Sequence, residues 1–203
     1  MKKILTEEIA KNIMKMKGEA RGIAMKQDGE YILKEKGKDG LTKVERELEK
    51  IGCPMKYSEI SSMKFYPGGL RVLSLLAFKQ AFNTDDEAIR NICAFQPKTS
   101  LVIRLFAKYF FSVPNIMKKI QDMWKKYWNC GKMTFTEYNE KEGKAVVRIE
   151  GMDIDPIWCR CIEGYLASLG ELILPQKKGE KIQCKETKCQ SRGEKYHEFV
   201  INF

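Results

Sequence analysis

The most informative part of this chain reads DPIWCRCIEGYLASLGEL over residues 155–172. Asp155 followed by Pro156 is typical of a helix start, because Asp caps the free N–H groups of the first turn and Pro fits the first helical position. Two β-rich runs follow, at residues 181–188 and 195–203. Alternate residues of the second run share one strand face, namely His197, Phe199, Ile201 and Phe203. This end of the chain therefore predicts a helix followed by a β-hairpin.

The pattern upstream of residue 155 changes from helical to strand-like at Gly131. Runs at residues 133–138 and 144–150 flank the turn residues 140–143 and predict a second hairpin. Four helices are predicted before Gly131, at residues 67–82, 84–95, 99–111 and from Ser112-Val113-Pro114 to near Trp128. Short loops make them pack on one another and on the sheet. We therefore predict an α+β fold, with a helical layer packed on a small antiparallel sheet.

The first 55 residues are predicted to form a separate helix-hairpin-helix extension. Residues 5–17 form an amphipathic pattern with Thr6 as its N-cap. Asp28-Gly29 lies between two short runs, residues 22–26 and 30–34, and is a short-range hairpin signal. Residues 41–51 give a second helix, which Gly52 and Pro54 end. The predicted organisation is an extension at residues 1–55 and a domain at residues 56–203.

The chain carries a formal net charge of +10, from 37 basic and 27 acidic residues. Its charges are interleaved, as in residues 43–50, which indicates a solvated helix face and makes nucleic-acid binding an unfavoured function. No stretch is apolar for long enough to predict a membrane span. The first eight residues turn acidic before a signal-peptide core could form, so we expect a cytoplasmic protein whose seven cysteines are reduced.

Potential metal ligands are concentrated near the C-terminal end. His197 is the one histidine of the chain, and it lies eight residues after Cys189. Cys184 and Glu186 fall in the same predicted hairpin, and Cys159 and Cys161 lie at the start of the preceding helix. Zinc prefers thiolate and imidazole ligands in a tetrahedron, which a helix and an adjacent hairpin can supply from different directions. The alternative is that these residues are core, since cysteine is among the most buried residue types. Chemistry alone leaves both readings open.

The segment Cys159–Leu166, followed by Glu186, Cys189 and His197, resembles the 4-vinyl reductase domain family over about residues 56–203. The family pattern has a Cys before a helix Gly, then Glu and Cys three positions apart, and a last Cys eight positions later. Here Cys159 lies five positions before Gly164, and His197 replaces the final Cys. The resemblance implies a zinc site formed by Cys159, Glu186, Cys189 and His197.

Two nearby cysteines remain alternate ligands. Cys161 lies about 200° around the helix from Cys159, so both cannot easily ligate from one regular helix. Cys184 shares a strand face with Glu186, and its thiolate is the better zinc ligand. A site closed by four protein ligands would be structural, and would tie the last hairpin to the helix.

The resemblance also implies an apolar pocket. The family includes the sensing domains of aromatic-responsive transcription activators, and resembles in fold the heme nitric-oxide-binding domains and certain Golgi-transport subunits. Trp124 and Trp128, one helical turn apart, are the expected pocket wall. The competing interpretation is that they are ordinary core residues. Members of the family often dimerise, which implies a homodimer.

The expected function is therefore a zinc-binding module that holds a small apolar or aromatic ligand and acts through a partner or a dimer. No catalytic residue is predicted, because no dinucleotide-binding or phosphate-binding glycine pattern is present. Two alternatives remain. One is a reductase acting on a vinyl group, which only the family name suggests. The other is a basic interaction module, which Lys118, Lys119, Lys125 and Lys126 suggest.

Overall fold

The computed structural model describes residues 4–99, 113–175 and 181–203. The fold is α+β, as predicted. The described helices are α1 (Glu7–Ile13), α2 (Gly22–Glu49), α3 (Gly68–Phe82), α4 (Asp86–Thr99), α5 (Val113–Tyr127) and α6 (Pro156–Ile173). The described strands are β1 (Glu19–Arg21), β2 (Phe65–Pro67), β3 (Lys132–Asn139), β4 (Lys144–Glu150), β5 (Gln183–Lys188) and β6 (His197–Asn202). The predicted helix at residues 99–111 lies outside the described residues, apart from Thr99, which ends α4.

The C-terminal sheet is antiparallel throughout, with strand order β3-β4-β6-β5. In β6 the burial alternates, so that His197, Phe199 and Ile201 face the interior together. Their register partners include Ile149 and Val147 of β4, which are also buried. The predicted alternation of the last strand is therefore confirmed, and it places the chain's histidine inside the molecule.

Helix α6 begins as the sequence predicts and packs closely on α4. The Asp155 carboxylate caps it by accepting a hydrogen bond from the Ile157 N–H at 2.9 Å. A disulfide joins Cys93 of α4 to Cys161 of α6. The expectation that all seven cysteines are reduced is wrong at this pair. The physical reason is that the close approach of the two helices leaves their Cα atoms 5.1 Å apart, which is within bonding range.

The predicted hairpin around Asp28-Gly29 is wrong, because these residues lie inside helix α2. Both are buried, and their small size serves packing instead of a turn. A Cβ at position 29 would lie 2.7 Å from the ring of Tyr57, so glycine is what admits that ring. The helix does break later, at Gly37, whose φ of 68° is accessible chiefly to glycine. The predicted helix at residues 41–51 is the second half of this broken helix.

The N-terminal segments share one hydrophobic core with the rest of the described chain. Leu48 and Ile51 lie in the same buried cluster as Leu73 and Trp158. Strand β1 pairs with β2, and Thr6 caps α1 as predicted. A boundary between two units at residue 55 stays a prediction. Among the described helices, none is both long and apolar enough to cross a membrane.

Candidate functional site

Four side chains from separate segments meet behind the C-terminal sheet. Cys159 comes from the first turns of α6, Glu186 from β5, Cys189 from the residue after that strand, and His197 from the first position of β6. One potential ligand atom of each lies within 4.8 Å of those of the other three. The structure thus brings together the four residues that the family resemblance implied.

The distances within this Cys/Glu/Cys/His cluster are short. The Cys159 Sγ lies 3.8 Å from the Cys189 Sγ and 3.5 Å from the His197 Nδ1. His197 Nδ1 is 3.2 Å from a carboxylate oxygen of Glu186. Cys159 and His197 are fully buried, and Cys189 is nearly so. Burial is the main reason that the pKa of the Cys159 thiol is raised, so a thiolate there needs a compensating cation.

The orientation of the His197 ring is fixed by a hydrogen bond at Nε2. Nε2 lies 2.7 Å from the Met152 carbonyl oxygen, and because a carbonyl only accepts, Nε2 carries the proton. In the neutral ring Nδ1 then presents a lone pair, and it accepts the Gln190 N–H at 3.4 Å. That lone pair also faces Glu186 Oε1, and two such acceptors repel unless a proton or a cation lies between them. A carbonyl that holds the far nitrogen of a histidine is a common arrangement around metal ligands.

Glu186 is held by a network of buried charges. Arg160 donates to Glu186 Oε2 and to Glu163 Oε1, each at 2.8 Å, and Glu163 Oε1 accepts the Glu186 backbone N–H at 2.8 Å. Burial acts to raise the pKa of the Glu186 carboxyl, but hydrogen bonds from both cysteine thiols, together with the charge of Arg160, act to lower it and outweigh burial. The carboxyl is therefore kept ionised and aimed at the cluster. Arg160 and Glu163, which the sequence analysis did not identify, hold Glu186 in this position.

The two alternate ligands lie elsewhere. Cys161 turns to the opposite side of α6, where it is bonded to Cys93. Cys184 is half-buried on β5 opposite Ile201 and is not among the four clustered side chains. The helix rotation between Cys159 and Cys161 therefore separates their surroundings as the sequence analysis expected.

A second feature is an apolar cavity on the other side of α6. Its volume is about 720 Å³, counting the mouth that opens to solvent. Trp124 and Trp128 form part of its wall, with ring centroids 6.0 Å apart. Other lining residues include Ile116, Ile120, Ile162, Tyr165 and Leu169. Both tryptophans thus lie on the wall of this cavity, and their contact with a ligand stays a prediction.

Trp158 separates the cavity wall from the Cys/Glu/Cys/His cluster. Its ring meets Trp124 and Trp128 edge-on, at centroid distances of 6.1 and 5.9 Å. Its ring also lies 5.6 Å from the ring of His197. The two features are thus joined by one buried indole.

Polar side chains also reach the cavity, and the sequence analysis missed them. Arg71 of α3 lines it while bonding to Asp28 of α2 through Nε at 3.1 Å and Nη2 at 3.4 Å. Gln96 of α4 lines it and donates to the Ala24 carbonyl at 3.0 Å. The available signal was an arginine inside the apolar run of residues 67–82, since such a residue is buried only with a partner.

Known proteins resemble this chain in structure but not in sequence. No family model matches the sequence, and no curated protein matches it. Among solved structures, an H-NOX protein from S. oneidensis in the Fe(II)NO ligation state has a TM-score of 0.64 and 15% identity, covering 90% of this chain and 98% of that one. The chain has the H-NOX fold. An unliganded Fe(II) H-NOX protein from K. algicida has a TM-score of 0.63 and 11% identity, covering 90% and 95%. A structure concerned with heme distortion in the H-NOX family has a TM-score of 0.61 and 12% identity, covering 90% and 94%.

Zinc as the predicted cofactor is overturned by this comparison. The solved proteins of the fold are described by their heme iron, so the likeness points to heme and not to zinc. The physical reason for the error is that a set of cysteine, histidine and carboxylate ligands does not identify the metal that it holds. The resemblance to heme nitric-oxide-binding domains is confirmed at the level of fold, whereas the 4-vinyl reductase domain family itself stays a prediction.

The described residues of this chain do not fit a heme in the cavity. His197, the chain's one histidine, does not line it, and both ring nitrogens contact protein atoms. Cys161 lines it but is bonded to Cys93 and therefore offers no thiolate. Tyr127 and Tyr165 line it too, but burial raises the pKa of both phenols, which disfavours a phenolate ligand. The described lining thus lacks the imidazole, thiolate and phenolate groups that commonly hold heme iron.

Proposed function

We propose that this chain is a small-molecule-binding domain of sensor type, which holds an apolar or aromatic organic ligand in the cavity beside α6. The observation that carries this proposal is the cavity itself, with two stacked indoles on its wall and an arginine at its edge. Concave sites that are mainly apolar and carry a few polar groups are the usual form of ligand sites. The likeness to H-NOX domains supports a ligand-binding fold, although the described lining does not fit a heme.

The ligand proposal is tested by calorimetry and thermal shift with a panel of hydrophobic aromatic compounds and with hemin as a separate probe. Ile173 lines the cavity near the end of α6, whereas its neighbour Leu172 does not line it and is 36% exposed. We expect Ile173→Trp to weaken aromatic binding by filling space, while the matched Leu172→Trp leaves it unchanged. Stoichiometric binding of hemin, or the absence of any aromatic binder, would contradict the proposal.

We infer in addition that Cys159, Glu186, Cys189 and His197 hold a transition-metal ion. Three observations support this inference: the convergence of four ligand atoms, the His197 lone pair that faces a carboxylate oxygen, and the carbonyl that holds its far nitrogen. The ion would supply the positive charge that these buried acceptors require, and would tie β5 and β6 to α6. The identity of the ion is left to measurement.

Elemental analysis over the first-row transition metals tests the metal centre. We expect near-stoichiometric metal in the wild-type protein, purified without chelator, and its loss in Cys189→Ser and in His197→Gln. Cys184→Ser is the matched control, because this cysteine lies on the same hairpin but outside the cluster. Wild-type protein that carries no metal would contradict the proposed metal centre, and the four residues would then be ordinary core residues.

We also propose that this chain associates with a second copy of itself. Exposed apolar side chains that include Met63, at 70% exposure, and Phe65 support a contact surface near the β1-β2 pair. Sedimentation velocity of the purified protein tests this proposal. A single monomeric species at all accessible concentrations would contradict it.

A further inference from the structure

The polar edge of the cavity has a composition that restricts the ligand. Arg71 is the one charged residue among the described residues that line it, and its side chain is 5% exposed. An arginine buried to this degree requires acceptors for its N–H groups. Its contacts with Asp28 use Nε and Nη2, and Nη2 also lies 3.7 Å from the Cys161 Sγ. Among the described residues Nη1 has no protein acceptor, so it is available to a ligand.

The partners of Arg71 and Gln96 place the two side chains next to each other. Arg71 bonds to Asp28, and Gln96 donates to the Ala24 carbonyl. Ala24 and Asp28 lie four residues apart on α2, which puts them one above the other on the same helix face. The side chains of Arg71 and Gln96 are therefore both anchored to the same face of α2.

Arg71 and Asp28 form a buried ion pair at this polar edge, where burial raises the pKa of the Asp28 carboxyl and the charge of Arg71 opposes that rise. Asp28 is fully buried and does not line the cavity, so it neutralises Arg71 without touching a ligand. A carboxylate ligand would lose its hydration on entry and would find no unbalanced cation in return. A neutral oxygen acceptor has a far smaller desolvation cost, and it still gains a hydrogen bond from a charged donor.

We propose that the ligand is a neutral, mainly apolar organic molecule with a carbonyl-type oxygen, and that Arg71 is the residue that selects it by donating a hydrogen bond to that oxygen. This inference rests on the proposed function and names the ligand class for the same cavity. The apolar walls bind the hydrocarbon part, and the Arg71–Asp28 pair tells a neutral oxygen from both a plain hydrocarbon and an anion.

Three compounds of one shape test the selection: 2-acetylnaphthalene, 2-ethylnaphthalene and 2-naphthoate, measured by calorimetry at neutral pH. We expect the ketone to bind about tenfold more tightly than the ethyl compound, since a hydrogen bond from a charged donor distinguishes them. We expect the carboxylate to bind more weakly than the ketone. Equal affinity of the ketone and the ethyl compound, or a preference for the carboxylate, would overturn the inference and leave ligand binding itself intact. If none of the three binds and no compound of the aromatic panel binds either, the proposed function fails as well.

The variant Asp28→Asn tests the part played by charge. Asparagine keeps the shape and one acceptor oxygen but leaves Arg71 as an unbalanced cation. We expect the order of affinity to change in favour of 2-naphthoate, by about tenfold relative to the wild-type protein. The double variant Asp28→Leu with Arg71→Met removes both charges. Replacing a buried ion pair as a whole costs less stability than removing one partner, so this variant is expected to fold. It should bind the ketone and the ethyl compound equally. A double variant that folds and still prefers the ketone would show that Arg71 does not select the ligand.

Discussion

Gly164 lies where α6 comes closest to α4. A Cβ at this position would stand 2.0 Å from the Arg90 carbonyl oxygen and 2.6 Å from its carbonyl carbon. Backbone atoms cannot move aside as a flexible side chain can, so glycine is what permits the approach. The glycine of the family-like motif thus has a packing role on the helix that also carries Cys159.

We expect Gly164→Ala to lower the free energy of unfolding by about 2–3 kcal/mol, because the helices must separate to admit a methyl group. Gly170→Ala is the control on the same helix, since its Cβ would meet only the side chain of Ile182, at 3.1 Å, and that of Leu174. Alanine has a higher helix propensity than glycine by about 1 kcal/mol, and in Gly170→Ala this gain should offset the cost of the close contact. Urea unfolding of both variants measures the difference. An equal loss in both would mean that helix α6 does not approach α4 as described.

Single residues were predictable where their chemistry and spacing acted together. Cys159, Glu186, Cys189 and His197 could be proposed because four ligand types recur at spacings that a known pattern shares, and they lie together in the structure. Their binding of a metal stays a prediction. The Arg71–Asp28 pair was not predictable, since 43 positions separate the two residues and no local pattern joins them.

The disulfide between Cys93 and Cys161 ties α4 to α6 across 68 positions of sequence. In the chain-entropy description, a cross-link of this span stabilises the folded state by about 4 kcal/mol, because it restricts the unfolded chain. We expect Cys93→Ser to lower the free energy of unfolding by up to that amount. Cys53→Ser, at a free and half-buried cysteine, is the control.

Thiol titration of the denatured, unreduced protein checks the same bond. Five of the seven cysteines are free in the structure, so five thiols are expected without reductant and seven with it. Seven thiols under both conditions would show that the bond does not form.

The hairpin of β5 and β6 should depend on the metal more than other elements do. β5 is an edge strand, held on one side by β6 alone, and the proposed ion joins it to α6. We expect chelation to speed amide hydrogen exchange in β5 and β6, while α2 and α3 keep their protection. Exchange measured by mass spectrometry reads this directly. Uniform acceleration across the molecule would mean that the cluster supports the whole core, and no change would oppose a metal at this position.

Elements were predictable from periodicity and capping, but not where a tertiary contact used the same residues. Helix α6 follows from Asp155-Pro156 and an apolar period, and it begins at Pro156. Asp28-Gly29 has the composition of a turn, yet Asp28 pairs with Arg71 and Gly29 admits the ring of Tyr57. A local signal cannot report contacts with residues that are far away in the sequence.

The molecule as a whole should lose stability in acid. Hydrogen bonding from Lys79 lowers the pKa of the Asp86 carboxyl, and the pKa of Glu198 is also lowered, because bonds from Arg148 and Thr187 outweigh the effect of burial. A carboxyl with a lowered folded-state pKa adds stability above its unfolded value, near pH 4, and this contribution is lost as the pH falls through the folded value. We expect the free energy of unfolding to decrease below about pH 4.

Urea unfolding at a series of pH values measures this decrease. Lys79→Met should make the acid slope slightly shallower, by less than about 1 kcal/mol in total, since this pair is partly exposed. A slope that becomes steeper in Lys79→Met would contradict the assignment.

At this largest scale the fold class was accessible to sequence reasoning, and the cofactor was not. Helices followed by β-hairpins imply an α+β arrangement, because each apolar face must be covered by another layer. Nothing in the ligand types of the Cys/Glu/Cys/His cluster names its ion. The space beside Trp124 and Trp128 is likewise set by side chains from α3, α4, α5 and α6 together, and no single segment encodes it.

The three indoles of the chain lie in one contiguous group, with Trp158 touching the other two and the imidazole of His197. The tryptophan contribution to the near-ultraviolet absorption and emission of the protein therefore arises at a single place, instead of averaging over distant parts of the molecule. Rings this close share their excited states, so a small rotation of one alters the signal of all three. A ligand that binds on one side of this group and an ion that binds on the other would each change the wavelength and the intensity of the tryptophan emission. Intrinsic fluorescence can therefore follow both binding events without an added label.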